Sequence, residues 1–590
     1  MCKNRIDRIM NGTETFGTVN NRTIAQYLYK GKVGGMNPEY ARTSRHKFLT
    51  LKTEGCRVIC EDPIDWYWQT NISLTLSIIS NWILPIIALL AALPYDSLHR
   101  RNAGASWSNG RGRFWGTFTA VLNWLGSPQT ALTATLFNIH QTRKCRDETL
   151  PSGQGISGND ALRPLKNDAY YVLTCVGQFM PLESDDTGRG HFLTTLIYGL
   201  FNPLCDIEEG EQIHAGGAPQ QPMLTPPKAG AKQMTTELLR EMAFQLRMLR
   251  RRGVYPMFLS IFLFFIAYAV SIVLAFGDLG GRTTAHSLAF GILISWLPLL
   301  VLFAILDRNP ISADRCRTLI SRWMWNVAAV RQWVNDGDGR PEHPRWWPLE
   351  RDTTTQGQGN AQVDFDTFMS DFVGQGRKIG YNGLPYALRH SVYSSFRHDR
   401  TMKSLRDISH QLEKHLNSRR PRCWWIIAFT SLGLIWLEIG MAFMISFNIP
   451  TVGIGCRSGS YLIYGALSSV TWFIHLWRPS RPRRVACLVF CLLSTVVLGF
   501  IVFAAFSGIM KNCLCRGGLS GYMDFENAEF YRNTAHFDVA TWWKAAAIVA
   551  ALPLVVGFIA AVVLLGKLQG LWQASEQSTR NAQVDMQWLI

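Results

Sequence analysis

The chain has 590 residues, a formal net charge of +17, 48% apolar residues and only 17% charged ones. Apolar spans alternating with polar loops give that balance more readily than a soluble domain does. The basic residues cluster beside apolar segments, so nucleic acid is not an expected partner and the lipid bilayer is.

The opening residues from Met1 to Arg5 lead into no apolar run. Neither a signal peptide nor a transit peptide is expected, and the first span should act as an uncleaved anchor. Residues 1–71 read as an extracytoplasmic tail. Crossing the hydrocarbon takes roughly 20 apolar residues in a helix. The first such run is 72–93, followed by the close pair 254–276 and 286–306. A second pair, 424–447 and 461–477, comes next, and then 485–506 and 542–565. The expectation is an all-α polytopic transmembrane helix bundle of about seven spans, with helical and irregular cytosolic loops at 94–253 and 307–423. An outer loop at 507–541 and a cytosolic tail at 566–590 complete it. Trp66, Tyr67, Trp68, Trp424, Trp425, Trp542 and Trp543 stand at span ends, where amphipathic rings favour the headgroup level. Pro85, Pro298 and Pro553 are expected to kink their spans.

Residues 114–139 carry no charge, but Gly126-Ser127-Pro128-Gln129 divides them. Two half-length pieces are expected to pack at an interface or to re-enter rather than to cross.

Lys and Arg sort the loops into two sets. Arg100, Arg101, Arg247, Arg250–Arg252, Arg308, Arg315, Arg317, Arg419, Arg420, Arg422, Arg478, Arg481, Arg483 and Arg484 load one side. Flanking positive charge faces the cytosol, which puts the N-terminus outside and the C-terminus inside, in the plasma membrane or an endomembrane. The N-terminal tail, with about eleven Lys and Arg of its own, must then cross regardless of charge, as long tails do. Asn11 and Asn21 begin glycosylation sequons on the outer side. Cys2, Cys56, Cys60, Cys456, Cys513 and Cys515 fall there too, where disulfides persist. Anionic inner-leaflet lipids are expected near Arg250–Arg252 and Arg481–Arg484. Leu238, Leu239, Met242, Ala243, Leu246 and Leu249 recur at helical spacing, which fits either a helix lying on the leaflet or one packed on its neighbours. The two large loops together are expected to form a cytosolic cap.

No cofactor or metal is expected. Gly153-Gln-Gly155-Ile-Ser-Gly158 has dinucleotide-binding spacing but lacks the strand and helix that would present phosphate to free N–H groups. The sharpest functional pointer is Glu438, near the middle of a span, where a carboxylate is costly and usually faces a bundle interior. At 1.5 Å per residue, Asn81, Tyr268 or Ser271, Ser295, Ser468 or Ser469, and Ser494 or Thr495 fall at similar depth to Glu438, and Asn81, Tyr268 and Ser295 stand with it as the leading candidates. These four residues form a candidate polar site for a ligand, proton or ion. The competing reading makes Glu438 neutral packing glue.

Three segments carry a resemblance. Glu61 to Trp68, leading to Asn81-Trp-Ile-Leu-Pro85, is one; Leu122 to His140 and Gly521 to Arg532 are the others. They resemble an uncharacterised family of multipass membrane proteins from filamentous fungi. The resemblance implies a fungal host and an accessory place in secondary metabolism, and carries no activity with it. The sequence therefore favours a non-catalytic membrane protein, whether receptor-like, sensory or a scaffold. A transporter or proton-coupled carrier is the alternative, and a membrane-embedded enzyme acting on a lipophilic substrate comes third.

Overall fold

The computed structural model describes residues 50–52, 79–91, 118–149, 163–181, 186–204, 230–248, 255–277, 282–307, 313–336, 369–372, 384–388, 405, 408–410, 412, 420–448, 454–476, 481–507, 509–511, 522–524 and 537–573. They are overwhelmingly helical, with four strands of three or four residues. Three stretches are long and apolar enough to cross a membrane: Ser287–Asp307, Arg422–Phe447 and Pro482–Ala504. These fall at three of the seven expected places. Leu259–Val273 and Ala551–Lys567 are shorter apolar helical stretches at two more.

Helix α1 (Leu84–Ala91) is entered through a π-helical turn, Ile79–Ile83. Pro85 has no N–H for the carbonyl of Asn81 four residues back, and its ring crowds that carbonyl, so the turn widens there. Helix α2 (118–126) and α3 (Pro128–Thr149) meet at Ser127. Helix α4 (Arg163–Val176), α5 (Asp186–Phe201) and α6 (Ala231–Met248) follow. Helix α7 (Tyr255–Gly277) precedes α8 (Arg282–Leu293) and α9 (Trp296–Asp307), and α10 (Ala313–Asp336) comes next. The last four are α11 (Arg422–Asn448), α12 (Cys456–His475), α13 (Arg481–Ser507) and α14 (Phe537–Gln573).

Helix α9 is apolar all round and every residue of it is buried, as an all-apolar helix must be when protein surrounds it. It packs against α3, α7 and α14. The surrounding helices turn large apolar side chains outward instead. Examples are Phe262 on α7, Ile426 on α11, Val485 and Val496 on α13, and Ile548 and Val556 on α14. An apolar surface spread over several helices far exceeds what a soluble monomer exposes, and suits a lipid boundary.

Helices α4, α5, α6 and α10 form a second layer, in which α6 packs on both α4 and α10. Leu238, Leu239, Met242, Ala243 and Leu246 are buried in it. The stripe on α6 therefore faces protein, not a leaflet. Each fully buried Leu or Met contributes about 1.5–3 kcal/mol, which an interfacial position would only partly recover. Strand β1 (Thr50–Lys52) pairs antiparallel with β4 (Tyr522–Asp524). Strand β2 (Phe179–Pro181) pairs antiparallel with β3 (Met369–Phe372), tying the two large loops together.

The segment around Gly126, expected to pack at an interface or to re-enter, lies among other helices. Gly126 to Thr133 is continuously buried inside the bundle, and α3 packs against α9, α11 and α12. Irregular backbone at that depth is tolerated only where protein encloses it.

Candidate functional site

The site is built on two interrupted helices. In the first, α8 stops at Leu293 and α9 starts at Trp296. Pro298 is the cause. It cannot donate to the carbonyl of Ile294, so the chain tightens into shorter-range bonds. Ser295 N–H donates to Ile292 O at 3.1 Å, and Leu297 N–H to Ile294 O at 3.0 Å. The Ser295 hydroxyl also returns to Ile292 O, at 2.8 Å. Trp296, the first residue of α9, belongs to the turn whose N–H groups lack intrahelical acceptors.

Glu438 of α11 faces this break. Its side chain is fully buried, and Ser295 and the Trp296 backbone lie beside its carboxyl. Neither closes a hydrogen bond with either oxygen in this geometry. A helix start carries partial positive charge, so it is a favourable surrounding for a carboxylate. Tyr268 on α7 and Tyr464 on α12 lie within electrostatic range of Glu438.

The second interruption is at Ser127. Pro128 occupies the first position of α3, where its missing N–H costs nothing and its fixed φ suits a helix start. Gly126 lets α2 approach α13 closely: a methyl group there would meet the backbone of Cys491. Tyr464 Oη donates to Leu125 O at 2.8 Å. Gln129 Nε2 donates to Ser468 Oγ at 2.8 Å, and Trp436 Nε1 donates to Ser469 Oγ at 2.9 Å. Tyr464 thus joins the two interruptions, touching one and lying near Glu438 at the other.

Several buried polar atoms on α3, α7, α9, α11 and α13 have no hydrogen-bond partner. They are both oxygens of Glu438, Tyr268 Oη, Gln129 Oε1, Ser494 Oγ and Trp296 Nε1. Leaving a buried polar group unpaired costs on the order of 1–3 kcal/mol. The Glu438 carboxyl, with Tyr268 in electrostatic range, is chemically suited to taking up a proton or a small polar ligand.

Of the four residues singled out in the sequence, the structure brings Glu438, Ser295 and Tyr268 together. Asn81 lies in the π-helical turn, and its side chain falls outside the described residues. Gln129, Tyr464 and Trp296 escaped the sequence reading. Pro298 and the Gly-Ser-Pro-Gln break were the signals that point to them. Asn11, Asn21, Cys56, Cys60, Cys513 and Cys515 fall outside the described residues. Cys456, at the start of α12, is disulfide-bonded. No group of metal-ligating side chains occurs among the described residues. Comparison with family models, curated proteins and solved structures found no match.

Proposed function

We propose that this chain is a multipass membrane carrier in which Glu438 takes up and releases a proton or binds the cationic group of a small substrate. The observation that carries this reading is a buried carboxyl facing a helix break, with both oxygens unpartnered. Carriers place their sites near the bilayer midplane between discontinuous helices. Two such helices meet here through Tyr464.

The seven-span layout is part of the proposal, and the strand pairings support it. Strand β1 lies in the expected outer tail and β4 in the expected outer loop, so an even number of crossings should separate them. Strands β2 and β3 lie in the two expected cytosolic loops, again requiring an even number. Seven spans meet both conditions when residues 118–149 do not cross. Contacts at the break favour re-entry from the cytosolic side. Asn123 approaches Cys491, which approaches Thr471, whereas Gln129 meets Ser468. Thr471 is the deeper of the two toward the cytosolic end of α12, so the chain moves outward from Asn123 to Gln129. Helix α3 then turns back: Phe137 packs with Trp424 and Trp472 at that cytosolic end.

The test is flux in proteoliposomes under an imposed pH gradient, with candidate organic cations and with protons alone. Glu438→Gln should abolish pH-dependent flux while the protein remains folded. Flux equal to wild type would remove the proposal. A receptor-like role is the second reading. It is favoured by α3, which runs from the second break toward the second layer, where it packs on α4. It predicts no flux in either protein.

A further inference from the structure

The second helical layer holds a charged group that the carrier reading does not use. Arg247 lies in the last turn of α6, just ahead of α7. Its side chain is 8% exposed. One end, Nη1, is held by Asp168 of α4, itself 4% exposed. The guanidinium plane lies over the Tyr171 ring, 4.6 Å from its centroid. The remaining edge, Nε and Nη2, is buried and meets no acceptor.

That edge has a specific geometry. Nε–H and Nη2–H point in parallel, the arrangement that takes two oxygens of a phosphate or carboxylate at once. Asp168 holds the far end, and the aromatic ring fixes the plane, so the fork is oriented before any ligand arrives. Arg240 lies within electrostatic range of Asp168 and adds a second positive charge beside it. Cys175, also near Arg247, adds a neutral thiol. Asp307 lies near Cys175 and has interactions of its own.

We infer that the open Nε/Nη2 edge of Arg247 is a binding site for a phosphate group, supplied either as free phosphate or as the headgroup of an anionic lipid. In the sequence, six residues separate α6 from the apolar helix α7, and Arg250, Arg251 and Arg252 are among them. Anionic headgroups gather at such basic junctions. The edge is enclosed in this conformation, so entry requires the second layer to part near the ends of α4 and α6.

The experiment uses the full chain in neutral detergent and follows its thermal unfolding. Inorganic phosphate is titrated in one arm at matched ionic strength. Phosphatidic acid is titrated in another, with diacylglycerol as its uncharged control. Saturable stabilisation by inorganic phosphate identifies free phosphate as a source. Stabilisation by phosphatidic acid alone identifies the headgroup. Arg247→Lys keeps the charge facing Asp168 but loses the parallel pair of donors. It should weaken the apparent affinity by on the order of tenfold or more, the value of one charge-assisted hydrogen bond. No saturable effect in wild type, or an equal one in Arg247→Lys, overturns the inference. Should that variant fail to fold, phosphorus NMR on the wild type decides instead. A phosphate resonance shifted by the protein and restored by competing sulfate supports the site, and an unshifted one overturns it.

Discussion

Gly126→Ala is the substitution that most directly tests the packing of the second helix break. A methyl group built there lies 2.8 Å from Cys491 Cα and 2.9 Å from its carbonyl carbon, with the carbonyl oxygen nearer still. Unbonded carbons rest at about 3.5 Å or more. The obstruction is helix backbone, so no rotamer change relieves it, and α2 must withdraw from α13. Overpacking of this kind costs about 1–3 kcal/mol. Withdrawal also strains the Tyr464–Leu125 and Gln129–Ser468 bonds, both 2.8 Å, each contributing about 0.5–1.5 kcal/mol. The expected loss is therefore on the order of 2–6 kcal/mol. Gly433, Gly440 and Gly499 provide the comparison, because a methyl at any of them meets nothing within 4 Å. Alanine there should be neutral or stabilising by up to about 1 kcal/mol, since glycine is the poorer helix former. Unfolding in mixed micelles followed by far-UV circular dichroism measures all four variants. If Gly126→Ala falls within about 0.5 kcal/mol of the other three, a spread ordinary for surface substitutions, the close approach of α2 and α13 is wrong.

Other outcomes follow from the two ladders and the second layer. Leu51 sits opposite Met523, and Phe179 opposite Phe372. With the proposed sidedness, Leu51→Cys plus Met523→Cys should give a disulfide-linked peptide in cells, detected by mass spectrometry. Phe179→Cys plus Phe372→Cys should stay reduced, and the opposite pattern would invert the orientation. Burial, and then Arg331, hold the imidazole of His191 on α5 below its usual 6.5. A folded value lower than the unfolded one means stability is fully present above about pH 6.5 and is lost as pH falls through that value. Protection factors across α5, corrected for the pH dependence of intrinsic exchange, should fall on acidification below 6.5, and His191→Gln should flatten that response; an unchanged slope would remove His191 as its source.

Much of the membrane-facing architecture was legible because lipid imposes a simple rule: long uncharged runs and their basic flanks. That rule picked out 286–306, 424–447 and 485–506, where the three longest apolar stretches lie. It also picked out Glu438, because a single acid stands out in an apolar run. It missed what is set by contact rather than composition. Residues 254–276 and 286–306 look equally apolar, yet α7 turns Phe262 outward while α9 is buried throughout. Nothing in hydropathy separates a lipid-facing helix from an enclosed one. The stripe on α6 is similar: its spacing fits a leaflet or a protein partner equally, and only α4 and α10 decide between them. Gln129 and Tyr464 stayed invisible because their roles arise from residues more than three hundred positions apart along the chain.

The break at Ser295 depends on one residue, Pro298. Were the helix continuous, the N–H at position 298 would donate to Ile294 O. Glu438 would then face no helix start. Pro298→Ala restores the missing donor and removes the ring; Pro298 stands in the first turn of α9, so the cost of about 3 kcal/mol for proline in a helix interior is an upper bound. The variant should therefore be more stable than wild type by up to about that amount, while pH-dependent flux declines. Higher stability with lower activity is the signature of a strained element kept for function. If unfolding and flux both match wild type, packing around α9 holds the break and Pro298 is incidental. If stability rises and flux is untouched, the break exists but Glu438 does not depend on it, and the carboxyl must draw its role from Tyr268 and Tyr464 instead.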